Sequence, residues 1–245
     1  FIFLFNENIK KNIFLLIFGT LISFYILEAI LSFNKIFYVK NLEKIKELKK
    51  ELYFESTGNE YDYRTAYQVM LDSDERLEIL IQPEYFWNTK DDVFPLSGKP
   101  NSKIIIGNEN GYYANYFSDK YGFRNPNDVW EKNKTKYLLL GDSFVHGFAV
   151  NKPDDISYQL RELSKENVIN LGFGGNGPLT SYATLKEFFP NNVENILWFF
   201  FEGNDLSDLT HEKKNKILVE YFKDDSYSQN LKLKEKEIKK VFNII

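Results

Sequence analysis

Tyr137-Leu138-Leu139-Leu140-Gly141-Asp142-Ser143-Phe144 is the stretch on which the fold of this chain turns. A short apolar run closed by a glycine reads as a buried strand. The glycine permits a tight turn at the strand exit. The serine then stands where a helix begins, among backbone N–H groups without intrahelical partners. That is a favourable place for a nucleophile whose attack creates an oxyanion. A serine nucleophile also needs a base to take its proton, and the chain holds only two histidines, His146 and His211.

From Lys136 onward, strands and helices alternate. A strand at 137–140 is followed by a helix near 155–165, and a strand at 167–171 by a helix near 179–188. A third strand at 194–201 contains the almost wholly apolar Ile196-Leu197-Trp198-Phe199-Phe200-Phe201. Continuous apolar strands separated by helices predict an α/β architecture with a parallel sheet buried on both faces. In such sheets, ligands meet the carboxyl ends of the strands. The three ends carry Gly141-Asp142-Ser143, then Asn170-Leu171-Gly172-Phe173-Gly174-Gly175-Asn176-Gly177-Pro178, then Glu202-Gly203-Asn204-Asp205. They offer a serine oxygen, a flexible glycine backbone and a neutral side-chain amide. Acyl transfer needs such a set, a nucleophile with donors aimed at the tetrahedral oxyanion.

The order GDS, N-x-G-x-x-G-x-G-P and GND resembles the SGNH (GDSL-like) hydrolase family over about residues 136–206. The resemblance implies a three-layer, flavodoxin-like parallel sheet with Ser143 as nucleophile. It implies an oxyanion hole made by the Ser143 N–H, the Gly175 N–H and the Asn204 side-chain amide. The spacing from Ser143 to Gly175 is 32 residues and from Gly175 to Asn204 is 29, which suits one helix between successive strands. The implied activity is a serine esterase working through an acyl-enzyme, without metal or cofactor. Its implied substrate is an acylated small molecule or an O-acylated glycan of a bacterial cell surface; an O-acyltransferase on the same site is the alternative.

The family's fourth block, D-x-x-H after a further strand, is missing. Asp208-Leu209-Thr210-His211 has its letters, but His211 follows Asn204 by only seven residues with no strand between. Asp208 and His211 are therefore the weaker candidates for orienting carboxylate and base. His146, three residues beyond Ser143, is expected to line the cleft. The chain begins on Phe1 and ends on Val241-Phe242-Asn243-Ile244-Ile245, so the true block is expected beyond Ile245. Residues 212–245 then read as an insertion before the last strand. A chain without its base would retain only the catalysis of the oxyanion hole and binding.

Upstream, residues 12–33 are mainly apolar and long enough to span a bilayer as a single pass, with a buried core helix as the alternative. Residues 34–81 read as a juxtamembrane helix, striped by Leu42, Ile45, Leu48 and Leu52, and a polar linker. Residues 82–135 read as an aromatic, β-rich extension with strands at 102–106 and 112–117 around Asn110-Gly111, a hairpin signal. Residues 136–245 form the hydrolase-like domain. Positive-inside counting favours a cytoplasmic C-terminal side, whereas the resemblance implies an extracytoplasmic catalytic domain on a membrane anchor.

A net charge of −4 and pI near 5.4 give no nucleic-acid footprint. The absence of cysteine excludes disulfides and thiolate metal sites. Two further readings stand beside the esterase. Gly172-Phe173-Gly174-Gly175-Asn176-Gly177 satisfies G-x-G-x-x-G after a strand, with Glu202 at the end of the next, as in a dinucleotide-binding domain. A non-catalytic, membrane-anchored interaction module on an inactive hydrolase fold is the other.

Overall fold

A computed structural model describes residues 6–86 and 93–243. Phe1, Ile244 and Ile245, which bore on the reading of an open-ended chain, lie outside the described residues, as does the side chain of Leu42. The chain divides into two units, 1–61 and 62–245.

The first unit is one helix, α1 (Glu7–Thr57), of 51 residues. Two helices were expected here, but no glycine or proline between Phe33 and Asn41 interrupts the hydrogen-bond ladder, so they run together. Asn6 caps its start by accepting from the Ile9 N–H, and Gly58 ends it at φ +70°. Glu7–Phe33 is 27 residues and contains an 18-residue window with a mean hydropathy of 2.3. That span rises roughly 40 Å, against a hydrocarbon core of about 30 Å. It is long and apolar enough to cross a membrane. None of it is buried within the structure, with Leu16 and Tyr25 each 72 % exposed. Two of its hydroxyls are satisfied by the helix backbone, Thr20 Oγ1 donating to Leu16 O and Ser23 Oγ to Gly19 O, as a lipid environment favours.

The second unit is mixed α/β. It opens with α2 (Ala66–Asp72), started by a reciprocal Thr65–Gln68 capping box, and β1 (Leu77–Ile79). Both fall in a stretch whose weak pattern predicted neither. β1 pairs parallel with β2 (Lys103–Ile105), which pairs antiparallel with β3 (Asn115–Phe117). The expected hairpin is present, its turn closed by the Gly111 N–H on Asn108 Oδ1, but its strands are only three residues each.

The second sheet consists of β4 (Thr135–Leu140), β5 (Val168–Asn170) and β6 (Val193–Trp198), in the order β5-β4-β6 and all parallel. The helices that follow are α3 (Ser143–His146), α4 (Ile156–Ser164), α5 (Pro178–Phe188), α6 (Asp205–Glu212), α7 (Lys216–Lys223) and α8 (Glu235–Phe242). The chain leaves β4 for a neighbour on one side and returns to a neighbour on the other. This reversal opens a crevice at the carboxyl end of β4, which is where Gly141-Asp142-Ser143 lies.

Side chains alternate across β4. Leu138 and Leu140, with Ile169 and Leu171, bury against Leu179, Ala183 and Phe188 of α5. Leu139 turns the other way, to Val145, Val168 and Leu160. β6 departs from the expectation of a strand buried on both faces. It is an edge strand, paired only with β4, and Ile196, Leu197 and Trp198 are 45 %, 36 % and 43 % exposed. Residues of α4, α5, α7 and α8 cluster with β4 and β5, and among the described β6 residues only Val193 packs there.

Of residues 212–245, read as an insertion, the described part, 212–243, is built into the core. Leu218, Tyr221, Leu231 and Phe242 join the cluster that contains Phe86 and Phe94. Glu187 of α5 anchors them, accepting from Tyr221 Oη, Ser228 Oγ and the N–H groups of Gln229 and Leu231.

Candidate active site

The ends of the three parallel strands meet around Gly141. Its φ is +152°, and a Cβ there would stand 2.7 Å from Val145 Cγ2 and 3.0 Å from Phe199 O. The Phe199 N–H donates to Leu140 O at 2.9 Å, and the Phe173 N–H to Gly141 O at 3.2 Å. Asp142 caps α3, its carboxylate accepting from the Phe144 N–H at 3.0 Å. Ser143 is the first residue of that single turn and is half-buried. Neither its Oγ nor its N–H has a hydrogen-bond partner among the described residues.

The loop from β5 to α5 becomes specific once its N–H groups are traced. The Leu171 N–H goes to Leu139 O, Gly172 to Asn170 Oδ1, Phe173 to Gly141 O and Gly174 to His146 Nδ1. The Asn176 N–H goes to Phe173 O, and that of Gly177 to Glu212 Oε1. Between 171 and 177, only the Gly175 N–H donates to nothing among the described residues. Gly175 is partly exposed and takes φ +84°, a region that favours glycine. Asn170, which leads the motif, holds the loop against α3 through Nδ2 on Val145 O at 2.7 Å. Asn125 in turn clamps β5, giving and accepting hydrogen bonds with the Asn170 backbone.

Asn204 precedes α6. Its Nδ2 donates to Asp208 Oδ2 at 2.8 Å, leaving its second N–H uncommitted, while Oδ1 is buried without a partner among the described residues. Burial pushes the carboxyl groups of Asp205 and Asp208 up, and the Asp142 carboxylate pushes both further. Three carboxyl groups therefore converge on the strand ends. The Phe144 ring, 5.2 Å from that of Phe201, bridges the same two segments.

The two histidines differ. His146 is fully buried, stacked on Phe173 at 4.8 Å and edge-on to Tyr116 at 5.2 Å. Burial, with a smaller push from Arg124, lowers its pKa to about 3. With Nδ1 accepting from Gly174, it is a neutral ring turned away from base chemistry. It packs in the interior, although its position three residues beyond Ser143 could have lined a cleft. His211 is exposed, on α6 one turn after Asp208, whose carboxyl group its charge lowers. Both residues were expected in a loop. The helix instead places Asn204, Asp208 and Glu212 at four-residue intervals, on one face.

Glu212 went unnoticed in the sequence. Fully buried, it accepts from the N–H groups of Gly177, Leu179 and Thr180 at 2.9, 2.9 and 3.1 Å. Burial raises its pKa and those donors pull it back. Its carboxylate fills the N-terminus of α5, where the G-x-G-x-x-G reading would seat a pyrophosphate. No group of three or more His, Asp or Glu among the described residues is placed to hold a metal ion. In comparisons with models of known protein families, with curated proteins and with solved structures, the chain finds no match.

Proposed function

We propose that this chain is a serine esterase of the SGNH type, with its parallel sheet forming the core of a three-layer fold and α1 serving as a single-pass membrane anchor. One observation carries the reading. Every N–H of the β5–α5 loop is committed except that of Gly175, the residue picked from the motif as the backbone donor. It stands with two other uncommitted donors at the strand ends, the Ser143 N–H and the second Asn204 N–H.

In the proposed reaction, Ser143 Oγ attacks an ester carbonyl. The carbonyl oxygen gains charge and is met by these three donors, and the alcohol departs with a proton to leave an acyl-serine. Attack by water regenerates the serine. Attack by a sugar hydroxyl would make the same site a transferase. By the family resemblance, the substrate is an O-acylated cell-surface glycan and the domain lies outside the cytoplasmic membrane. Of the chain's two histidines, His211 is the candidate base and Asp208, one turn earlier on α6, its candidate partner.

The donor role of Asn204 gives a direct test. Asn204→Ala is expected to lower kcat by about 10²–10³ with little change in KM, because the donor acts mainly on the transition state. A rise in KM at constant kcat would make Asn204 a ground-state binding residue instead. A chain without turnover whose surface binds a protein partner would favour the interaction module.

A further inference from the structure

His146 carries an inference beyond that reading, although it rests on it. An imidazole at this position is an expensive way to fill space. It is fully buried, and its Nε2 has no hydrogen-bond partner among the described residues, so an apolar side chain of similar size would avoid the desolvation penalty. What an apolar side chain lacks is an acceptor. The sole polar attachment of the ring is Nδ1, which accepts from the Gly174 N–H at 3.1 Å. Phe173 stacks on one face and Tyr116 of β3 meets it edge-on, so the ring has little freedom to turn that atom elsewhere. A Cβ on Gly174 would stand 3.2 Å from Gln82 Nε2, 3.6 Å from His146 Nδ1 and 3.7 Å from Leu80 Cδ2, so the residue is closely held. The next residue, Gly175, bears the uncommitted N–H.

We infer that His146 is a positioning residue: by taking the Gly174 N–H, it fixes the peptide plane whose neighbour, the Gly175 N–H, is left to receive the oxyanion. The nucleophile and the residue that orients its oxyanion donor then lie on one turn of helix, three residues apart. Their relative placement survives a displacement of α3, because the one turn carries both.

The test uses the full-length protein and a fluorophosphonate, whose phosphonyl oxygen occupies an oxyanion hole once serine has attacked. His146→Leu is expected to slow labelling of Ser143 about 10²-fold, the scale of a reacting-group misplacement of about 1 Å. His146→Asn is expected to restore most of the rate, because the Asn Oδ1 lies close to where His Nδ1 was. In the wild type, ¹⁵N spectra should show an unprotonated Nδ1 and a protonated Nε2 between pH 5 and 8. That measurement needs no variant and stands even if the leucine variant does not fold. Protonated Nδ1 would overturn the inference, as would equal labelling of the wild type and His146→Leu. Absence of labelling in the wild type would instead overturn the esterase reading, and with it the purpose of the anchor.

Discussion

Ser143→Ala in the full-length protein should abolish release of acetate from an activated ester, with a loss in kcat on the order of 10⁶, as when a serine nucleophile is removed from a complete site. The alanine fits without strain, because Ser143 begins α3 and its Oγ supports no neighbour among the described residues. Stability should therefore be unchanged within about 0.5 kcal/mol, so lost turnover cannot be blamed on unfolding. Unaltered turnover would exclude the mechanism. His211→Ala refines the same experiment. A fall as deep as that of Ser143→Ala assigns the base to α6, with Asp208 as its partner. Turnover that survives assigns the base elsewhere, because His146 already uses Nδ1 to hold Gly174 and its pKa lies near 3.

The alternation of β4, β5 and β6 with helices was legible because each strand contains or adjoins a short apolar run bounded by turn residues. Burial of β6 was not legible. Ile196 to Phe201 read the same at the edge of a sheet as at its centre, since exposure depends on what lies alongside. β1 and α2 were missed because a three-residue strand and a two-turn helix carry too little periodicity to register.

Ser143, Gly175 and Asn204 could be proposed from the sequence because each follows a strand with a residue type suited to one chemical role. The residues that hold them could not. His146 and Gly174 are hydrogen-bonded across two elements although 28 residues apart, and no local pattern joins them. Glu212 resembles a surface residue by type, since glutamate is almost never fully buried unless paired. The four-residue spacing of Asn204, Asp208 and Glu212 was the available signal, and it becomes visible only when 205–212 is read as a helix.

That glutamate also separates the esterase from its strongest rival. The first N–H groups of a helix have no intrahelical acceptor, and in α5 three buried amides at or near that end share one carboxylate supplied by α6. Glu212→Ala would strand all three. Each buried donor left unpaired costs about 1–3 kcal/mol, and water entering the vacated space would recover some of that. A loss of about 3–5 kcal/mol is therefore expected, read as a lower urea midpoint at unchanged slope. Formate, small enough to enter the space, should restore part of the midpoint in the variant and none in the wild type, because it binds only where the carboxylate is missing. An unchanged midpoint in Glu212→Ala would mean that the amides find other partners and that the cap is dispensable. In the dinucleotide reading, the same amides must be open to a pyrophosphate in the wild type. Stabilisation of the wild type by NAD would require Glu212 to vacate them and would return the glycine loop to that role. With Glu212 in place, the loop's remaining donor is the Gly175 N–H, and one amide suits an oxyanion better than a diphosphate.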